Sequence, residues 1–186
     1  MEKTLRQIPS NCLKIVLFGP ESSGKTTIAE QLATHYSTQW VPEFMREYLQ
    51  KKWNDNKETI SKEDLLNIAR GQLFLENKTV KEANTFLFCD TNLLELKVYS
   101  EYYYDGFCPA EILKACEENH YDHYFLTHID TPWELDDLRD RPNDREKLFR
   151  IFEAELKQNN LPYTLLEGGE GERLLKATQF LATLKT

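Results

Sequence analysis

Gly19 and Gly24 bracket Pro20-Glu21-Ser22-Ser23, and Lys25, Thr26 and Thr27 follow without a gap. Glycines let backbone N–H groups curl around phosphate oxygens with no Cβ in the way. An ammonium at Lys25 reaches the β- and γ-phosphates of a nucleotide, and a hydroxyl at Thr26 suits Mg²⁺. The spacing is that of a triphosphate-binding loop. It makes Gly19, Glu21, Ser22, Ser23, Gly24, Lys25, Thr26 and Thr27 candidate nucleotide ligands and implies ATP and Mg²⁺ as cofactors.

Three further groups carry suitable chemistry. Asp90 closes an apolar run and suits a metal opposite Thr26, through water, or a catalytic carboxylate; capping the next helix is its bland role. Glu43 is a candidate base for an attacking hydroxyl, and Arg46 a candidate ligand for the substrate; the bland alternative is a solvated helix face with Glu43 and Glu47 one turn apart. Arg139, Arg141 and Arg145 lie in or just after a stretch bounded by Pro132 and Pro142. Arg139 and Arg145 would neutralise charge developing in transfer, and Arg141 would hold the nucleotide. Asp136, Asp137, Asp140 and Asp144 are interleaved with them and offer the competing reading of paired surface charge. Trp133 and Tyr102 to Tyr104 offer flat faces for a nucleoside base or, more ordinarily, half-buried packing.

The elements that must position these groups follow from pattern. Leu13–Phe18 is a short apolar run suited to a buried strand, and Ile28, Ala29, Leu32, Ala33 and Tyr36 recur at helical spacing after the loop. Gln39-Trp40-Val41 reads as a second strand, residues 43–49 as a short helix and residues 53–59 as a polar loop. Ser61 with Asp64 resembles a capped helix start, and Gly71 within that helix points to close packing or a bend. Residues 85–90, 123–127 and 163–167 complete five strands. Asn143 with Glu146 suits a capping box for a helix over 144–158. Strands alternating with helices predict an α/β fold: three αβα layers around a mostly parallel five-stranded sheet, with ligands at the carboxyl ends of the strands. Residues 1–12 form a lead-in, and 13–186 one domain with an arginine-containing lid at about 129–143.

The chain has 186 residues and a formal charge of −8, which argues against a broad nucleic-acid or membrane surface but not against a local anion site. Cys12, Cys89, Cys108 and Cys116 show no C-x-x-C pair. With no signal peptide and no apolar run of membrane-spanning length, a reduced cytoplasmic protein is expected. His35, His120, His123 and His128 form no ligand pair.

Gly-Pro-Glu-Ser-Ser-Gly-Lys-Thr-Thr at 19–27, Pro-Glu-Phe-Met-Arg-Glu-Tyr-Leu at 42–49 and Phe-Cys-Asp-Thr at 88–91 occur in that order. Tyr-Phe-Leu-Thr at 124–127 and Thr-Pro-Trp-Glu-Leu-Asp-Asp-Leu-Arg-Asp at 131–140 follow. Together they resemble the nicotinamide riboside kinase domain of the bifunctional bacterial NAD-biosynthesis regulators, within the P-loop NTPase and kinase superfamily. The resemblance implies transfer of the ATP γ-phosphoryl to the 5′-hydroxyl of nicotinamide riboside, giving nicotinamide mononucleotide. It implies that Lys25 and Thr26 serve nucleotide and metal, that Asp90 holds Mg²⁺ or acts as catalytic carboxylate, and that Arg139 and Arg145 belong to the lid. The adenylyltransferase and DNA-binding regions of multifunctional members have no counterpart here, so the kinase step alone is expected. Asp137 stands where the family has a glycine after the lid aspartate. Read without the resemblance, the residues also allow another nucleoside or nucleotide kinase, or an ATP-dependent binding module; protein partners are left open.

Overall fold

The computed structural model describes residues 5–134, 138 and 143–184. Strand β1 (Leu13–Phe18) leads through the glycine loop into helix α1 (Lys25–His35), followed by β2 (Gln39–Val41) and α2 (Phe44–Asn56). A 3-10 turn at Lys62–Asp64 opens α3 (Leu65–Thr79), and β3 (Phe86–Asp90), α4 (Leu93–Tyr103) and α5 (Ala110–Glu118) come next. β4 (His123–Thr127), α6 (Arg145–Gln158), β5 (Tyr163–Leu166) and α7 (Glu170–Thr183) complete the fold.

The strands pair in the order β2-β3-β1-β4-β5, and every pairing is parallel. Strands covered on both faces read as continuous apolar runs instead of alternating ones, and β1 shows why. Ile15 and Leu17 pack against Ile28 and Leu32 of α1 and Ala177 and Leu181 of α7. Val16 and Phe18 pack on the opposite face against Leu94 and Val98 of α4 and Leu148 and Phe152 of α6. Phe18 meets Tyr124 and Phe152 edge-on at centroid distances of 5.5 and 4.8 Å. A third cluster joins α3, α4 and α5 through Leu65, Ile68, Leu93, Leu96 and Ile112. The expected three-layer α/β arrangement is present, with helices on both faces of a five-stranded sheet.

The Ser61–Asp64 capping box forms as expected. Other local expectations change. Helix α2 runs through residues 53–56, which the sequence suggested as loop, because Met45, Tyr48 and Leu49 anchor one side against the third cluster. Lys57 closes it with left-handed backbone (φ 58°) and an N–H donated to the Trp53 carbonyl. The capping box at Asn143 does not form. Asp144 is the N-cap residue of α6, and its carboxylate accepts from the Tyr102 hydroxyl at 2.6 Å. Gly71 marks close packing: a Cβ there would lie 2.1 Å from the Phe44 ring. Residues 5–12 lie against the domain, with the Gln7 and Ile8 N–H groups donating to Asn119 and Asn77. Among the described residues no helix is long and apolar enough to cross a membrane.

Candidate active site

The glycine loop leaves the central strand at the carboxyl edge of the sheet, where it is clamped by its neighbours. Gly19 has φ 146°, and a Cβ on it would fall 2.6 Å from the Thr127 hydroxyl, so the approach of β4 requires glycine. The Ser23 hydroxyl donates to the Pro20 carbonyl and lies 2.6 Å from the Thr127 hydroxyl. It shapes the loop, and among the described residues its hydrogen bonds go to the Pro20 carbonyl and the Thr127 hydroxyl, with no base to make it a nucleophile. Gly24, at φ 84°, turns the chain into α1, whose first N–H groups and positive end point toward the loop's hollow.

Lys25 begins that helix and its ammonium is buried. Nζ donates to the Gly19 carbonyl at 2.7 Å and the Pro20 carbonyl at 3.0 Å, and pairs with Glu95 Oε1 at 3.1 Å. Burial alone would depress the lysine, but Glu95, Glu43 and Asp90 outweigh it and hold its pKa above the ordinary value. The two partners answer their surroundings together. Burial pushes the Glu95 carboxyl well up, and Glu43 and Asp90 add to the push against the pull of Lys25. Burial likewise raises Asp90, opposed by Lys25 and by the hydrogen bond from Thr26. One ammonium therefore faces three carboxylates.

Glu95 is a site residue that its sequence context hides. It sits inside Leu93-Leu94-Glu95-Leu96, where the apolar residues define a buried helix. The available signal was helical spacing: Glu95 shares a face with Val98 and Tyr99, both buried. Asn92 caps α4 with its side-chain oxygen on the Leu94 and Glu95 N–H groups, leaving the Glu95 carboxylate to reach Lys25.

Thr26 and Asp90 come together as expected, the threonine hydroxyl donating to Asp90 Oδ2 at 2.5 Å. Asp90 Oδ1 is buried and has no hydrogen-bond partner among the described residues. Mg²⁺ takes hard oxygen ligands, usually one or two carboxylates completed by water and substrate phosphates. The donor set fits: the Thr26 hydroxyl and the Asp90 carboxylate, whose second oxygen is buried and unused. Among the described residues no cluster of three or more acidic, histidine or cysteine side chains forms a closed cage. Asp90 does not cap α4; Asn92 has that role.

The first residues of the stretch expected to form a lid lie on the phosphate loop. Arg145 Nη1 donates to the Thr131 carbonyl at 2.9 Å and Nη2 to the Ser22 carbonyl at 3.0 Å. The Thr131 hydroxyl donates to the same Ser22 carbonyl at 2.8 Å, and the Glu134 N–H donates to the Ser22 hydroxyl at 3.0 Å. Trp133 lies under the Arg145 guanidinium, 5.6 Å from ring to cation, and is not part of the cleft wall. Arg139 and Arg141 lie outside the described residues.

Arg173, on the first turns of α7, is a second residue that sequence reasoning missed. Its buried guanidinium donates to the Ser23 carbonyl at 2.6 Å, the His128 carbonyl at 2.9 Å and the Gly168 carbonyl at 3.0 Å, and it pairs with Asp130. It joins the loops after β1, β4 and β5 from behind. In the sequence it looks like one of several charges on a terminal helix, and no local signal marks its burial.

The phosphate loop, Lys25, Thr26, Glu95 and Arg173 line a cleft of about 660 Å³. Its wall includes the phosphate loop with Thr131, Pro132 and Arg173, Tyr99, whose hydroxyl accepts from the Glu21 N–H, and an apolar and aromatic part with Met45, Leu49, Leu96, Tyr103 and Tyr104. Glu43, Arg46 and Glu95 also line it. Asp90 lies outside that cleft and lines an adjoining groove along α2 together with Thr26, Glu43 and Arg46.

A parallel sheet with β1 at its centre, a glycine loop at the carboxyl edge and a buried lysine on the following helix define a P-loop fold of the kinase-like type. The AAA domain family matches residues 14–173, and the chain belongs to that family. It is homologous to the trifunctional NAD biosynthesis/regulator protein NadR of Escherichia coli (strain K12), 26% identical over 155 residues, covering 82% of this chain and 38% of that protein. The chain thus spans about two fifths of the length of that curated relative. Its fold matches the crystal structure of a NadR protein in complex with NR, with a TM-score of 0.77 and 20% identity over 92% of this chain and 51% of the other. It also matches a deoxyadenosine kinase from M. mycoides, with a TM-score of 0.67 and 17% identity over 92% of this chain and 100% of that one.

Proposed function

We propose that the protein is an ATP- and Mg²⁺-dependent kinase that transfers the γ-phosphoryl group to the 5′-hydroxyl of nicotinamide riboside, forming nicotinamide mononucleotide. The observation that carries this is that one cleft is lined both by the phosphate loop and by apolar and aromatic side chains, with Lys25, Glu43 and Glu95 on its wall. A nucleotide-only switch needs no such apolar lining. The choice of nicotinamide riboside is supported by the homology to NadR and the likeness to a NadR protein in complex with NR.

On this reading the acceptor oxygen attacks the γ-phosphorus and the bond to the bridging β-oxygen breaks, leaving ADP. The hydroxyl proton passes to a carboxylate, for which Glu43 is the proposed base. Lys25 stabilises charge on the transferring and leaving oxygens. Bound at Thr26 and Asp90, Mg²⁺ would neutralise phosphate charge. Arg46 orients the acceptor, and Arg145 holds the lid on Ser22 so that water is excluded. Arg139 and Arg141 would close over the phosphates. Trp133 acts on substrate only if lid movement frees it from Arg145.

A deoxynucleoside acceptor is the second reading, favoured by the likeness to deoxyadenosine kinase. An acceptor screen with ATP and Mg²⁺, reading phosphorylated product by mass, separates the two. Product from nicotinamide riboside above the deoxynucleosides is expected. No product from any nucleoside would overturn the kinase assignment.

A further inference from the structure

Glu95 has two oxygens in different situations. Oε1 is held by the Lys25 ammonium at 3.1 Å. Oε2 is buried and has no hydrogen-bond partner among the described residues. A buried carboxylate oxygen without a donor is costly, and native structures keep such groups where a water or ligand completes them. Glu95 lines the cleft and is only 1% exposed, so its donor must come from whatever fills that cleft.

The surroundings narrow the donor. Neither neighbouring hydroxyl donates to Oε2: that of Tyr99 accepts from the Glu21 N–H at 2.9 Å, and that of Ser100 donates to the Phe107 carbonyl at 2.7 Å. Lys25, which meets phosphate oxygens, already occupies Oε1. A nucleotide phosphate offers acceptors alone and is met by Lys25. A sugar hydroxyl both donates and accepts, so it matches Oε2 whether Lys25 holds Glu95 ionised or burial keeps a proton on it, and its bond to the ionised form is charge-assisted.

We propose that Glu95 is a specificity-determining residue of the acceptor site, taking a hydrogen bond from an acceptor hydroxyl on Oε2 while Oε1 positions Lys25. This rests on the nucleoside-acceptor reading above. It makes one side chain serve both the phosphate-binding lysine and the acceptor. It also predicts that the protein binds hydroxylated acceptors more tightly than analogues lacking that hydroxyl, because the unmatched carboxylate would stay buried without a donor.

The test is an equilibrium binding cycle without ATP. Nicotinamide riboside and its 2′-, 3′- and 5′-deoxy analogues are titrated by calorimetry into the wild-type protein and into Glu95→Met, which removes both oxygens at similar volume. With the wild type, one analogue should bind roughly ten- to a hundredfold more weakly than the parent. With Glu95→Met the parent should weaken by a similar factor and that discrimination should disappear. If Glu95→Met does not fold, Glu95→Asp withdraws the carboxylate by one methylene and should reduce the same discrimination. Equal affinity of the wild type for all four ligands, or discrimination unchanged by the substitution, would overturn the proposal. A structural role for Glu95 would weaken all four ligands alike. Turnover is measured separately on the wild type, so binding through Glu95 without phosphorylation would sink the kinase reading and leave this one standing.

Discussion

Removing the Lys25 ammonium should destabilise the protein in a pH-dependent way that a second substitution reverses. Lys25→Ala leaves Glu95 in a site where its side chain is 2% exposed, with neither oxygen paired. A carboxylate in that position takes up a proton instead of staying charged. Glutamate in an unfolded chain has a pKa of about 4.3, and each unit of displacement is worth about 1.4 kcal/mol. Burial already lifts Glu95 to about 8 in the wild type, so both proteins carry a similar cost of about 4 kcal/mol for a neutral Glu95 at pH 7.5. Above pH 8 the wild-type carboxyl ionises against Lys25 while the variant stays protonated, so the variant loses stability further with rising pH and the gap widens by about 2 kcal/mol between pH 7.5 and 9.5. Urea unfolding of wild type and Lys25→Ala at both pH values reads the difference. Lys25→Ala with Glu95→Gln carries no charge to neutralise and should regain about 2–3 kcal/mol at pH 7.5 without regaining phosphoryl transfer. A loss equal at both pH values, or a double variant no more stable than Lys25→Ala, would refute the buried-pair argument.

His123 is stacked on Phe180 at 3.9 Å and lies 3.0 Å from the Thr164 hydroxyl, and burial pushes its pKa down to about 4. The unfolded ring protonates first, near 6.5, so stability should fall by at most about 3 kcal/mol as pH drops from 6.5 through 4. His123→Phe should lose that component, and parallel urea-midpoint curves for the two proteins would show the histidine uninvolved. Gly71→Ala forces a methyl group to within 2.1 Å of the Phe44 ring. It should cost about 1–3 kcal/mol by overpacking and raise the acceptor KM, since Glu43 and Arg46 flank Phe44; an unchanged Tm would contradict the packing. Arg173→Lys cannot span three loop carbonyls and Asp130 at once. Thermal unfolding should show a loss of about 2–4 kcal/mol, with a higher nucleotide KM and little change in acceptor KM. Asp90→Asn should shift the Mg²⁺ dependence of nucleotide binding to higher concentration, read by titration with a fluorescent ATP analogue; an unshifted titration would remove Asp90 from the metal site.

The fold was legible because its strands are buried on both faces. Ile15 and Leu17 serve one layer while Val16 and Phe18 serve the other, so the run itself announces a covered parallel strand. The phosphate loop was legible because backbone geometry restricts residue type at Gly19 and Gly24. The polar end of α2 was not, since residues 53–56 gain their helix from anchoring elsewhere along it. Glu95 and Arg173 were hidden for a different reason. A charged residue in a helix gives the same local pattern whether it faces water or is drawn inward by partners distant in sequence. Lys25 lies 70 residues before Glu95, and Ser23 lies 150 before Arg173. Their placement depends on the assembled sheet, not on neighbours along the chain.

The strand order has a consequence for how the protein comes into being. β1 appears first during synthesis, yet its pairing partners are β3 at residues 86–90 and β4 at 123–127. Until both have left the ribosome, the phosphate loop has a strand before it but no flanking backbone to fix it. The clamp from Thr127 arrives with β4, and Arg173 follows later still. Non-local pairing of this kind forms slowly, because loop closure must precede the contacts that reward it. A nascent chain halted before residue 123 should carry the complete glycine motif and still fail to retain nucleotide.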